Sequence, residues 1–171
     1  VVVLVVTAMV NRVTTGLLSD KQERSLTEAT ADWQQALQLL AAADAGPATA
    51  SPERIVDGVV SDLAANAGSP ARYDVLLLRA PGEVGGPERA TNLISPASVP
   101  AELSAEVAAL GRQMWTNSTA VFLDGSQDAA MAVGAPVEVP GVGDYQLFHV
   151  FPYTEQSDII SLVRSAGLVA G

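Results

Sequence analysis

His149 is the one histidine in the chain, and so its one side chain whose ordinary titration lies near neutral pH. It stands in Tyr145-Gln146-Leu147-Phe148-His149-Val150-Phe151. Strand alternation there puts His149 on one side with Tyr145, Leu147 and Phe151, and Gln146, Phe148 and Val150 on the other. A lone titrating group could serve as a pH switch, whereas the ordinary role of a lone strand histidine is a hydrogen-bonded structural one. Asp124-Gly125-Ser126-Gln127-Asp128 sets two carboxylates around a hydroxyl and an amide, oxygen ligands of the kind calcium takes. The string departs from D-x-[DN]-x-[DN]-G and lacks the closing bidentate Glu, so a hairpin turn accounts for it more simply. Arg72, Arg79 and Arg112 flank predicted strand ends, where guanidinium groups could meet a small carboxylate ligand or, more ordinarily, surface acids and water.

Other chemistries find less support. No serine stands in a G-x-S-x-G elbow. The absence of cysteine removes disulfides, thiol nucleophiles and thiolate metal sites together. Gly141-Val142-Gly143 falls in a turn with no helix after it, which is not a dinucleotide motif. Glycosidase carboxylates could be drawn from nineteen acidic residues, but an aromatic content of 5% argues against a sugar-stacking cleft. Asn117-Ser118-Thr119 matches a glycosylation acceptor but falls within a predicted strand. No catalytic, cofactor or metal residue is therefore expected in this chain.

A chain of 171 residues supports one domain with a full core. Nine basic against nineteen acidic residues leave a charge of −10, a surface that repels phosphate backbones and excludes nucleic-acid binding as the expected role. Hydrophobic residues at 49% exclude a disordered chain.

From Asn11 to Ala43 there is no proline and one glycine, and Leu26, Ala29, Trp33, Leu37 and Leu40 recur at helical spacing, which predicts one long amphipathic helix. Ser51-Pro52-Glu53 opens a second helix, with Ile55, Val56, Val59, Val60 and Leu63 as its buried stripe and Gly68 at its end. Tyr73 to Arg79 reads as a strand covered on both faces, and Thr91 to Ile94 as a short one. Pro100 opens a helix carrying Leu103, Val107 and Leu110, closed by Gly111. Strands follow over Met114 to Leu123, Ala129 to Val139 and Tyr145 to Phe151, joined by turns short enough to favour antiparallel neighbours. Thr154 caps a final helix. The whole is an α+β domain around a five-stranded, mostly antiparallel sheet.

Both ends are apolar and nearly free of charge. About 20 apolar residues span a bilayer, and Val1 to Val10 supplies ten, so that run is either the end of a membrane segment or a buried strand. On the membrane reading, residues 1–10 end a first transmembrane segment, 11–158 form an extracytoplasmic domain, and 159–171 lead through a juxtamembrane helix into a second.

Leu147-Phe148-His149-Val150-Phe151-Pro152, then Glu155-Gln156 and Ser161-Leu162-Val163-Arg164, resembles the end of the sensor domain in MtrB-type histidine kinases of actinobacteria. Ala132-Val133-Gly134-Ala135-Pro136 is similar to that family's Val-Gly-x-Pro strand, and the element order is similar to PAS-like extracytoplasmic sensor domains. The motif resemblance covers about the last forty residues and consists of structural punctuation. It implies the signal-sensing part of a two-component kinase at the cell membrane, controlling cell-wall growth, division or osmotic response. A response regulator would be the substrate of a kinase domain, with its ATP and magnesium, that these residues do not contain. The resemblance further implies a homodimer and a modulating cell-surface lipoprotein. Packing of Trp33, Leu37 and Leu40 against the sheet, shifting relative to the helix at Thr154, would relay the signal. The alternative is a membrane-anchored cell-envelope binding or scaffold domain without signalling, and a secreted hydrolase is the weaker third.

Overall fold

Uninterrupted helix formers need tertiary packing to hold a long helix in water, because isolated helices are marginal. In the computed structural model, which describes residues 2–46 and 50–153 and side chains from Ser19 onward, helix α1 runs unbroken over Val2–Asp44. At 1.5 Å per residue it is roughly 64 Å long. The Val-rich run is thus helix rather than strand. Among the described residues no helix is long and apolar enough to cross a membrane.

Helix α2 spans Pro52–Asn66. Ser51 precedes it in extended conformation but makes no side-chain cap. Its carbonyl instead accepts from Arg54 N at 3.0 Å and Ile55 N at 3.2 Å. Strand β1 is Asp74–Arg79, and β2 is only Arg89–Ala90. The second strand therefore lies before the predicted Thr91 to Ile94. The Thr91 hydroxyl accepts from Val75 N at 2.9 Å and donates to Asp74 at 2.9 Å, so the chain turns away from the ladder there. After a 3-10 turn at Pro96–Ser98, helix α3 covers Ala101–Leu110 and ends on Gly111 in left-handed conformation, φ 59°. Leu103 and Val107 are buried, but Leu110, the last residue of the helix before the Gly111 cap, is exposed. Strands β3 (Met114–Val121), β4 (Gln127–Val139) and β5 (Gly143–Pro152) complete the chain as described.

The sheet order is β2-β1-β5-β4-β3, antiparallel at every pairing. One face carries Val75, Leu77, Met131, Val133, Tyr145, Leu147 and Phe151, and packs against α1 and α2. The other carries Leu76, Ala130, Ala132, Phe148 and Val150, and is covered by α3 and Ile94. The fold is α+β with helices on both sides of a five-stranded antiparallel sheet. The β5 alternation falls as predicted. The helix expected from Thr154, and residues 159–171, lie outside the described residues.

Two positions on the sheet depend on what is missing. Beyond Gly134, β4 is no longer paired with β3. Pro136 therefore stands on an open edge where its absent N–H removes no ladder bond. Its carbonyl accepts from Trp33 Nε1 at 2.9 Å, docking α1. Gly86, at φ 84°, lets the loop before β2 close over Tyr145, where a Cβ would stand 2.6 Å from Val142 Cγ1. The Tyr145 hydroxyl beneath it is the buried side-chain polar atom left without a partner among the described residues. An orphaned hydroxyl carries a desolvation cost with no return. Tyr145→Phe should therefore hold stability or raise it by up to about 1 kcal/mol in urea unfolding; a loss of that size would mean that the hydroxyl has a partner in solution.

Candidate functional site

Helical geometry puts Ser25, Ala29, Asp32, Ala36 and Leu40 on one line of α1, and all five are buried. The predicted apolar stripe shares only Ala29 and Leu40 with it. Leu26 and Trp33 are half-buried at its margin, and Leu37 is 43% exposed. The seat is rotated by about one residue, because the sheet face beneath presents polar groups that a carboxylate satisfies and a leucine could not.

Asp32 is the centre of that arrangement. It is 4% exposed, and its Oδ1 accepts from Asn66 Nδ2 of α2 at 2.7 Å. Its Oδ2 accepts from the Tyr73 hydroxyl, just before β1, at 2.8 Å. The same oxygen lies 3.1 Å from Nε2 of His149 in β5, itself 2% exposed. A carboxylate only accepts, so His149 Nε2 carries a hydrogen and donates. The Tyr73 ring centroid stands 5.5 Å from that of His149 and 4.9 Å from that of Phe151, which closes the site with aromatic surface. Three separate elements thus point donors at one acid on a fourth.

Burial pushes the Asp32 carboxyl up, but the hydrogen bonds from His149, Tyr73 and Asn66, with the charge interaction with His149, outweigh it and hold the carboxyl below its ordinary value. Burial and then the Asp32 carboxylate hold the Tyr73 phenol above its usual range, so it remains a donor. A carboxyl depressed in the fold stabilises it fully above the ordinary carboxylate value, about pH 4. That contribution is lost as pH falls through the lower folded value. Thermal melts from about pH 6 to about pH 2.5 should show the wild type losing stability more steeply than Asp32→Asn below about pH 4. Parallel curves would contradict the assignment.

The other singled-out residues do not converge. Arg72 is exposed, 3.3 Å from Glu28, and donates to the Asn66 carbonyl at 3.0 Å. Arg79, at the far end of β1, pairs with Glu88 at 3.1 Å. Arg112 is exposed before β3. Asp124 Oδ1 accepts from Ser126 N at 2.8 Å and Ser126 Oγ at 2.6 Å, a self-satisfied turn, and Asp128 is in β4. Among the described residues no group of three His, Cys, Asp or Glu could hold a metal ion. Trp33 and Leu40 pack on the core, and Thr154 lies outside the described residues. Sequence reasoning missed Asp32, Asn66 and Tyr73. The available signal was the small-and-polar line Ser25, Ala29, Asp32, Ala36, which a search for large apolar residues passes over.

A second clasp joins the two segments that leave the sheet toward the chain ends. Lys21 Nζ donates to the Pro152 carbonyl at 2.9 Å and stands 5.6 Å from the Tyr153 ring centroid. On the opposite face, Gln146 and Ser104 of α3 exchange two hydrogen bonds, at 2.6 and 2.8 Å.

No known protein family matches the chain, and no curated protein does. Among solved structures, it is similar to an RNA-binding light-oxygen-voltage receptor, 13% identical with a TM-score of 0.31 over 57% of this chain and 34% of that one. The chain thus spans about a third of that receptor, and so slight a likeness carries no argument about function.

Proposed function

We propose that this chain is a PAS-like extracytoplasmic sensor domain of a membrane histidine kinase, of the MtrB type that its C-terminal motifs resemble. The observation that carries the reading is α1, one continuous helix that starts in a Val-rich apolar run and ends seated across a sheet face. A helix of roughly 64 Å couples both of its ends rigidly. Any stimulus that changes its seat on the sheet moves its far end by a similar amount. Lys21 at the Pro152 carbonyl adds a direct tie between α1 and the strand that exits toward the second apolar segment.

In this reading the domain performs no chemistry. A cytoplasmic kinase domain, with ATP and magnesium, phosphorylates a response regulator. Pairing of long helices makes the protein a homodimer, and a cell-surface lipoprotein or a change in the cell envelope is the stimulus. The carboxylate-rich surface, at charge −10, suits a protein partner better than an anionic lipid surface.

The test is phosphoryl transfer from ATP to the response regulator in membranes carrying the full-length protein. Deleting residues 52–153 should change the transfer rate several-fold and abolish its response to the stimulus. A full-length protein with no kinase domain overturns the proposal and leaves the envelope-scaffold alternative. Unaltered transfer after the deletion removes the sensing role.

A further inference from the structure

Along its central line the seat of α1 offers little apolar relief to fix its position, and Leu26, Trp33 and Leu39 pack only at its margins. Four of the five buried residues on its central line are Ser25, Ala29, Asp32 and Ala36, small or polar side chains over which a helix can slide. Beside the margin contacts of Lys21, Thr30 and Trp33, its register along that line is specified by hydrogen bonds arriving from three directions, Asn66 on α2, Tyr73 before β1 and His149 on β5. All three meet one carboxylate. A rotation of α1 by one residue, or a translation by one turn, takes Asp32 away from every donor at once and leaves the buried Tyr73 and His149 unpaired. Partial displacements keep the desolvation cost without the bonds, so they are less favourable than either the seated or the fully moved helix. Packed interfaces of this kind are bistable rather than continuously deformable.

We propose that Asp32 is the positioning residue of this domain, a detent that holds α1 in one register on the sheet and makes its release all-or-none. The signalling consequence rests on the sensor reading above, whereas the detent is a property of the 171-residue chain itself. Buried polar contacts are best attested in such registry roles.

Spin labels at the exposed positions Gln34 on α1 and Glu106 on α3, introduced as Gln34→Cys and Glu106→Cys, report the register by pulsed electron resonance. The wild-type chain should give one narrow distance. Asp32→Asn, which sets an amide against three donors, should add a second population displaced by about 5 Å, one helical turn. Tyr73→Phe, which removes one donor and keeps the ring, should populate it less. His149→Gln retains an N–H near the Nε2 position and should keep the single distance, whereas His149→Leu should add the second. A single wild-type distance in folded Asp32→Asn and His149→Leu overturns the detent. So does an equal shift with His149→Gln and His149→Leu, which would mark a packing effect rather than a donor. In full-length protein, a second distance population with unchanged phosphoryl transfer upholds the detent and overturns the sensor reading.

Discussion

Asp32→Ala is expected to destabilise the domain by about 3–5 kcal/mol, the largest loss from any single polar substitution in the described residues. The size comes from what stays behind rather than from what is removed. Asn66, Tyr73 and His149 keep their donors, and two of these three residues are at most 2% exposed. Each buried donor left unmade costs about 1–3 kcal/mol, and alanine supplies no acceptor in place of the carboxylate. For a chain of this length the melting temperature should fall by about 10 °C. Urea unfolding followed by near-ultraviolet circular dichroism, to which the buried Tyr73 ring and the half-buried Trp33 contribute, measures it directly. A loss under about 1 kcal/mol would show that water enters the site and satisfies the donors.

Gly134→Ala should destabilise by about 1–3 kcal/mol although alanine is the better strand residue. Gly134 lies directly opposite Phe148 in the β4 and β5 ladder, and the ring, 1% exposed, lies over the glycine. A Cβ there would stand 2.7 Å from Phe148 Cδ1 and nearer still to Cε1, with Val107 Cγ2 of α3 at 3.1 Å on the remaining side. The ring is held between β4 and Val107 of α3, so the collision at the ring has little room to relax in a closely packed layer. Phe148→Leu removes the ring atoms that collide. The double variant Gly134→Ala with Phe148→Leu should therefore lose about 1 kcal/mol less than the sum of the two single changes. Additive losses would place the strain in the backbone rather than at the ring.

Local chemistry made much of the architecture legible. Pro52 and Gly68 bound α2, Gly111 closes α3, and the Asp124 and Pro140 turns divide three strands whose neighbours are antiparallel. The alternation in Tyr145 to Phe151 assigns each side chain to its observed face, because the period of a strand is two and tolerates no other choice. The sequence places the short strand over Thr91–Ile94, whereas the Thr91 hydroxyl takes the Val75 N–H and the ladder ends at Ala90. Helical spacing puts Leu37 with Leu40 and Leu110 with Val107 on one face each, yet Leu37 and Leu110 are exposed, since a helix's rotation and its end are set by what lies opposite.

His149 was singled out by its type, and its side of the sheet by alternation, but nothing local names its partner. Asp32 is 117 residues away, on a helix whose rotation depends on the whole sheet face. A sequence of this composition determines that the chain folds, that it forms one long helix and an antiparallel sheet, and that its surface is acidic. These follow from properties summed over neighbouring residues. Only the tertiary structure decided that Asp32 lies on the inward line of α1 while Leu37 is left exposed. That choice depends on three donors brought together from distant segments, and nothing in the spacing along the chain names those partners.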